Sequence, residues 1–154
     1  MKRILTIIAA LVAIVALGQS CCPCRKAVKR NHKTLNATQW TLSQIEGQNV
    51  AELLVEDKAP TIIFDTEGSV GGYAGCNSFG GQYKIVPSEV EYQKNIVGKL
   101  SFGSMFSTKR LCPNDKLEMR YLALLDKIDS FTIEENKLFL FTNGELKLVF
   151  TAAE

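Results

Sequence analysis

The feature that most restricts the fold is a period-two alternation of apolar and polar residues that closes on Asn143-Gly144. Lys137–Thr142 and Glu145–Phe150 are β-rich runs separated by those two residues. Asn-Gly accepts positive φ at both central positions, as the type I′ turn of a tight antiparallel hairpin requires. An unbroken register pairs Phe141 with Leu146 and Phe139 with Leu148 on one apolar face, which is expected to be core. Leu140 with Lys147 and Leu138 with Val149 fall on a mixed face, expected to be only partly covered. Similar runs occur at Trp40–Ser43, Thr61–Asp65, Val70–Gly75, Gln82–Val86 and Lys99–Phe102, with turns at Gly47 and Glu67-Gly68-Ser69. Asn49–Glu56 reads as a strand, or over Ala51–Val55 as a short helical turn. Glu89–Val97 reads as an insertion loop or an extra strand.

One helix is expected, from Asn114 to Asp129. Leu117, Tyr121, Leu124, Leu125 and Ile128 fall on one face of a 3.6-residue period. Asp115 with Glu118 fits a capping box, and Pro113 blocks earlier helix growth. Lys116, Glu118, Arg120, Lys127 and Asp129 form the face expected in water. Several strands joined by hairpins, with one helix, indicate an antiparallel α+β fold, mostly β, and not a doubly wound parallel sheet.

Charge is divided unevenly. Seven of the 18 basic residues and none of the 16 acids lie in residues 1–33, so the remaining eleven basic residues leave residues 34–154 at −5. This disfavours a nucleic-acid-binding domain, because the positive charge is confined to a tail. Met1-Lys2-Arg3, the apolar run Ile4–Leu17 and Gly18-Gln19-Ser20 have the layout of a secretory signal peptide. Fourteen residues are too few to span a bilayer, which takes about 20. Residues 1–20 are therefore expected to be a signal peptide and residues 21–37 a basic tether. Cys21 is the expected lipid-attachment residue of a bacterial lipoprotein, although Leu17 stands one position early for the usual lipobox. Ordinary cleavage before Cys21 is the alternative. Cys22, Cys24 and His32, the chain's single histidine, have loose metal-like or redox-like spacing but no flanking fold to hold a site.

Five of the eleven glycines fall in Gly71–Tyr83. Both phosphate-binding fingerprints are missing there, so the glycines read as points of positive φ and close backbone approach in a sharply bent strand pair. Around this segment the chain resembles a known family. Trp40-Thr41-Leu42 followed by Ile45-Glu46-Gly47, then Gly75-Cys76-Asn77-Ser78-Phe79 with Gly81 and Tyr83, then Phe102-Gly103 and Ser107-Thr108-Lys109-Arg110-Leu111-Cys112-Pro113, resemble the three motifs of the META domain, or HslJ-like, family in order over residues 38–151. Arg110 and Leu111 stand where that family usually has Met and Ala, and Val86–Gly98 is longer than its usual turn.

The resemblance implies a strongly curved antiparallel sheet, a half-barrel, packed with one helix. It implies an envelope lipoprotein, in a family linked in general terms to stress or antibiotic tolerance, with no active site and no cofactor to carry over. Cys76 and Cys112 then become the most informative pair. An exported domain meets an oxidising compartment, where a disulfide persists. Two free buried thiols, or a nucleophilic Cys76 without a nearby base, remain the alternatives. The expected role is non-enzymatic: anchored by lipid to the periplasmic side of the envelope, binding or supporting another envelope component and no nucleic acid. The second expectation is a carrier or sensor of a small apolar ligand held in the curve of the sheet.

Overall fold

The computed structural model describes residues 34–36, 38–54, 58–87, 96–112 and 115–153. The expected signal peptide, Cys21, Cys22, Cys24, His32 and most of the expected tether lie outside those residues. Among the described residues ten strands run in chain order: β1 Gln39–Ile45, β2 Gln48–Asn49, β3 Thr61–Phe64, β4 Ser69–Tyr73, β5 Ser78–Pro87, β6 Ile96–Phe102, β7 Phe106–Ser107, β8 Ser130–Glu134, β9 Lys137–Thr142 and β10 Glu145–Ala152. A 3₁₀ turn, Val50–Glu52, follows β2, so the helical alternative for this stretch is realised. Among the described residues there is one α-helix, α1, Lys116–Leu125, shorter at both ends than expected.

All pairings between strands are antiparallel, in the order β10-β9-β8-β6-β5-β4-β3-β1, and β10 also pairs with β1. That last ladder, Trp40 opposite Ala152 through Ile45 opposite Leu148, closes the sheet. The half-barrel expectation is therefore corrected to a closed eight-stranded antiparallel barrel. Closure removes the two long edges that an open sheet would expose.

The Asn143-Gly144 turn forms as expected, with φ of 51° and 79°. Leu146 pairs with Phe141, but the register then shifts, and Leu148 faces Leu140 while Val149 faces Phe139. An extra residue at Lys147 is a β-bulge. The bulge reverses the expected faces of β9. Leu138, Leu140, Leu148 and Phe150 are the fully buried set, whereas Phe139 and Phe141 are only partly covered.

Glycine sets the curvature of the β4–β5 pair. Gly71 lies opposite Gly80, and Gly72 opposite Phe79. A Cβ at Gly72 would sit 2.0 Å from the Thr61 carbonyl oxygen, and one at Gly80 2.7 Å from the Phe106 ring. Both positions bring another part of the chain too close for a side chain.

Antiparallel strands put successive turns at alternate ends of the barrel. One end holds the β1–β2, β4–β5 and β9–β10 turns and the β6–β8 connection that contains β7 and α1. There Arg120 donates from Nε to Glu46 (2.6 Å) and from Nη1 to Gln48 (2.6 Å), and the Thr142 hydroxyl donates to the Lys127 carbonyl. The opposite end is closed by the segment before β1. Leu35 is buried and accepts from Trp40 Nε1 at 3.1 Å. The Tyr83 hydroxyl bonds to Asn36 Oδ1 and to the Asp65 carbonyl. The packed domain thus begins near residue 34, inside the expected tether. Between the ends, Trp40, Ile45, Ile62, Phe64, Leu100, Tyr121, Leu125 and Ile133 fill the interior. Tyr121 meets Phe79 edge-on at 5.8 Å and Phe150 at 6.2 Å.

Two predictions follow from this packing. Burial pushes the Tyr121 hydroxyl well above its ordinary acidity range, and among the described residues it has no hydrogen-bond partner. A buried hydroxyl without a partner costs about 1–3 kcal/mol. Tyr121→Phe keeps both ring contacts and is expected to hold or raise the urea midpoint; a clear fall would contradict the assignment. The second concerns Asp129, whose carboxylate accepts from the Ser130 hydroxyl and the Asn143 backbone N–H. Those bonds, the Ser130 one first, hold its pKa below the usual carboxylate range. Its contribution is therefore complete above about pH 4 and is lost as pH falls through the folded value. The stability gap between the parent and Asp129→Asn should narrow on acidification below about pH 4, read by thermal melts across pH.

Candidate functional site

The motif residues do not gather into one site. Trp40, Leu42 and Phe79 are core, Gly47 forms a turn at φ 79°, and Tyr83 serves the far end. Cys76, Asn77, Thr108 and Cys112 do come together, at the helix end of the barrel.

The cluster is built on the β4–β5 turn. Gly75 has a φ of 125°, a conformation suited to glycine, and its carbonyl accepts from the Tyr73 hydroxyl at 2.5 Å. The reversal leaves the backbone N–H groups of Cys76 and Asn77 pointing at α1. Both donate to Glu118 Oε2, at 3.0 and 2.6 Å. Asn77 Nδ2 donates to Glu118 Oε1 at 2.8 Å. Glu118 is only 8% exposed. A buried carboxylate is tolerable here because N–H donors replace its lost water.

Asn77 also holds the connection that leads to α1. Its Oδ1 accepts from the Arg110 backbone N–H (2.7 Å) and the Thr108 hydroxyl (2.8 Å). Its Nδ2 also lies 3.4 Å from the Arg110 carbonyl oxygen, and the Thr108 N–H donates to the Ser78 carbonyl at 3.0 Å. Cys76 and Cys112 are joined in a disulfide with a Cα separation of 6.4 Å, within the usual range for a bridge. Of the alternatives open in the sequence, the structure takes the bridged one.

Glu118 corrects the sequence reading twice. It was expected in water and in a capping box with Asp115. It is buried, and Asp115 makes no side-chain capping bond. The Glu118 carboxylate turns instead to the β4–β5 turn. A signal for this was available: Glu118, Tyr121 and Leu125 have offsets 0, 3 and 7, which is the buried stripe. Other acids of this half of the chain play ordinary parts. Asp126 is exposed, Asp129 caps the β9–β10 turn, and Glu135 has the positive φ of the β8–β9 turn.

The arrangement is a latch. A bridged sulfur pair offers no thiolate, and the Glu118 oxygens are engaged by three donors. Among the described residues, no group of three or more His, Cys, Asp or Glu side chains is placed to hold a metal ion.

The chain is similar to known proteins in sequence and in fold. The META domain family model matches residues 33–154. An NMR structure of a protein from Burkholderia xenovorans is 25% identical, covers 77% of this chain and 83% of its own, and superimposes with a TM-score of 0.57. A second NMR structure is 21% identical, with coverages of 74% and 87% and a TM-score of 0.54, and shows likeness of fold. No curated protein matches the chain.

The latch should be worth a large share of the stability. Asn77→Ala leaves Glu118 short of a donor and the Arg110 backbone unpartnered, and is expected to cost about 3 kcal/mol. Glu118→Gln places an amide N–H₂ among donors, or turns it away with the loss of one acceptor, and should cost about 2 kcal/mol. Reducing the bridge, which closes a 36-residue separation, should cost roughly 3–4 kcal/mol in the chain-entropy account. Urea titrations with and without reductant measure all three; an unchanged Asn77→Ala midpoint would refute the latch.

Proposed function

The chain belongs to the META domain family, and on that premise we propose that it is a non-enzymatic lipoprotein of the bacterial cell envelope. In this reading residues 1–20 are removed as a signal peptide and Cys21 carries lipid. Residues after Cys21 tether the domain to the periplasmic side of the envelope, at the outer membrane. The domain binds or supports another envelope component through its outer surface, in a role connected with stress tolerance.

The observation that carries the surface-binding part is the state of the barrel interior. Trp40, Phe64, Tyr121, Phe150, Leu138 and Leu140 fill it with essentially no exposure. The carrier reading placed an apolar ligand in the concave face of an open sheet. With the sheet closed and that space packed, the outer surface is the better candidate for recognition. The disulfide supports export, because such bridges persist in oxidising compartments. The segment before β1 packs at the end opposite α1, through Leu35 and Asn36, so the tether leaves the barrel wall uncovered.

The anchoring part has a direct test. Intact-mass measurement of the protein from the membrane fraction should give a lipid-modified Cys21 as the first residue. Cys21→Ser should abolish the modification and move the protein to the soluble fraction. An unmodified N-terminus at Gln19 or Cys21 would overturn lipid attachment and leave simple secretion.

A further inference from the structure

We propose that the end of the barrel carrying β7 and α1 is a docking surface for an anionic lipid bilayer. The inference concerns the folded domain and does not depend on lipidation of Cys21.

Besides Leu146 at the start of β10, three large apolar side chains are exposed on this end. Phe106 is 70% exposed, Leu111 103% and Met119 57%. They are connected through one groove and one hydrogen-bonded network. Phe106 and Leu122 line the same groove of about 270 Å³ with Met105, Ser107 and Asp126. Met119 lies one turn before Leu122 on α1, and neighbours Glu118, which is bonded to Asn77. Asn77 in turn holds Arg110, next to Leu111. Apolar groups grouped in this way on a soluble domain mark an interaction surface.

The charges indicate the partner. Residues 104–112 carry Lys109 and Arg110 and no acid, and both side chains are exposed beside Leu111. The chain from residue 34 onward nets −5, from eleven basic and sixteen acidic residues. An anionic surface therefore repels most of the domain and attracts this loop, which sets the orientation. Asp126 lines the groove beside Phe106 and Asp115 follows Leu111 by four positions, so the attraction is confined to the Lys109–Leu111 tip. A protein partner would be expected to offer a pocket shaped to an anchoring side chain. Leu111 stands clear of the domain, and a bilayer interface accepts such a projection without matching its shape.

The loop is also held ready. The Cys76–Cys112 bridge and the bonds from Asn77 to Thr108 and Arg110 fix its backbone. Docking then orders little that is not already ordered, so the apolar and basic contacts are not spent on loop entropy. The tether does not oppose this orientation. Thirteen residues, Cys21 to Lys33, reach at most about 45 Å when extended, and the longest strand, β5 with 10 residues, rises about 33 Å.

The test uses the chain from residue 21 onward, since every strand among the described residues lies within residues 39–152. Cys21, Cys22 and Cys24 are replaced by Ser, leaving the Cys76–Cys112 bridge. Partition is measured on phosphatidylcholine vesicles with and without about a third phosphatidylglycerol. The parent should bind the anionic vesicles and not the neutral ones. Lys109→Gln with Arg110→Gln should weaken binding about tenfold or more, and Leu111→Ser with Met119→Ser by a similar factor, each with an unchanged thermal midpoint. Leu111→Trp should show a blue-shifted emission on anionic vesicles and quenching by brominated lipid. The basic tether is present in every variant, so equal binding by parent and loop variants would assign attraction to the tether and overturn the proposal. A photocrosslinker at Leu111 that captures a discrete protein in cells, and not lipid, would overturn it as well.

Discussion

The buried carboxylate of Glu118 is the interaction on which the arrangement around α1 depends. It reaches from the first turn of α1 to two backbone N–H groups of the β4–β5 turn and the Asn77 amide. Those donors need an acceptor because the reversal at Gly75 turns them away from the sheet. The carboxylate needs donors because the helix buries it. Each partner is costly alone and stable together, which makes this pairing all-or-none. Asn77 passes the constraint on, since the amide that meets Glu118 also accepts from Thr108 and Arg110. Turn, loop and helix are thus fixed through Asn77 and Glu118, and the disulfide locks the turn to the loop covalently.

The two ends of the barrel use different chemistry for the same task. At the helix end a charged group and a bridge close the structure. At the other end Tyr83 joins Asn36 to the Asp65 carbonyl, and its ring packs edge-on against Phe64 at 5.0 Å. Burial and the nearby Asp65 charge raise the Tyr83 pKa, so the hydroxyl keeps its proton and its role as donor. Asp65 accepts from the Glu67 and Ser69 N–H groups, and the Ser69 bond chiefly lowers its pKa. An ionised turn carboxylate and a neutral buried phenol both suit neutral pH.

Local signals were readable in the sequence and long-range ones were not. Asn143-Gly144 set its own turn because its conformational preference needs no partner. The glycines of residues 71–81 were legible for a related reason: their lack of a side chain implies a close neighbour, here Thr61 and Phe106. Closure of the barrel was not legible. It joins Trp40 to Ala152, and no short pattern states that two such distant strands meet. The bulge at Lys147 was also silent, and one extra residue exchanges the inner and outer faces of a strand. Glu118 carries conflicting signals, because its residue type points to water and its position to the core. Its place on the Tyr121–Leu125 stripe indicated burial, and a buried acid implies donors nearby.

This burial has a consequence for the loop between β7 and α1. Backbone polar groups in a surface loop ordinarily bond to water, and the loop moves. Here the Thr108 and Arg110 backbone groups bond inward to Ser78 and Asn77, and Cys112 is bridged. Bonds that would otherwise leave the loop pliable are directed into the domain, while Lys109, Arg110 and Leu111 are left projecting from a fixed backbone. In a barrel whose interior is packed and whose long edges are paired, rigidity at this point does not serve an internal cavity. It holds an exposed group of side chains in one geometry, which gains affinity only when something outside the domain meets that group.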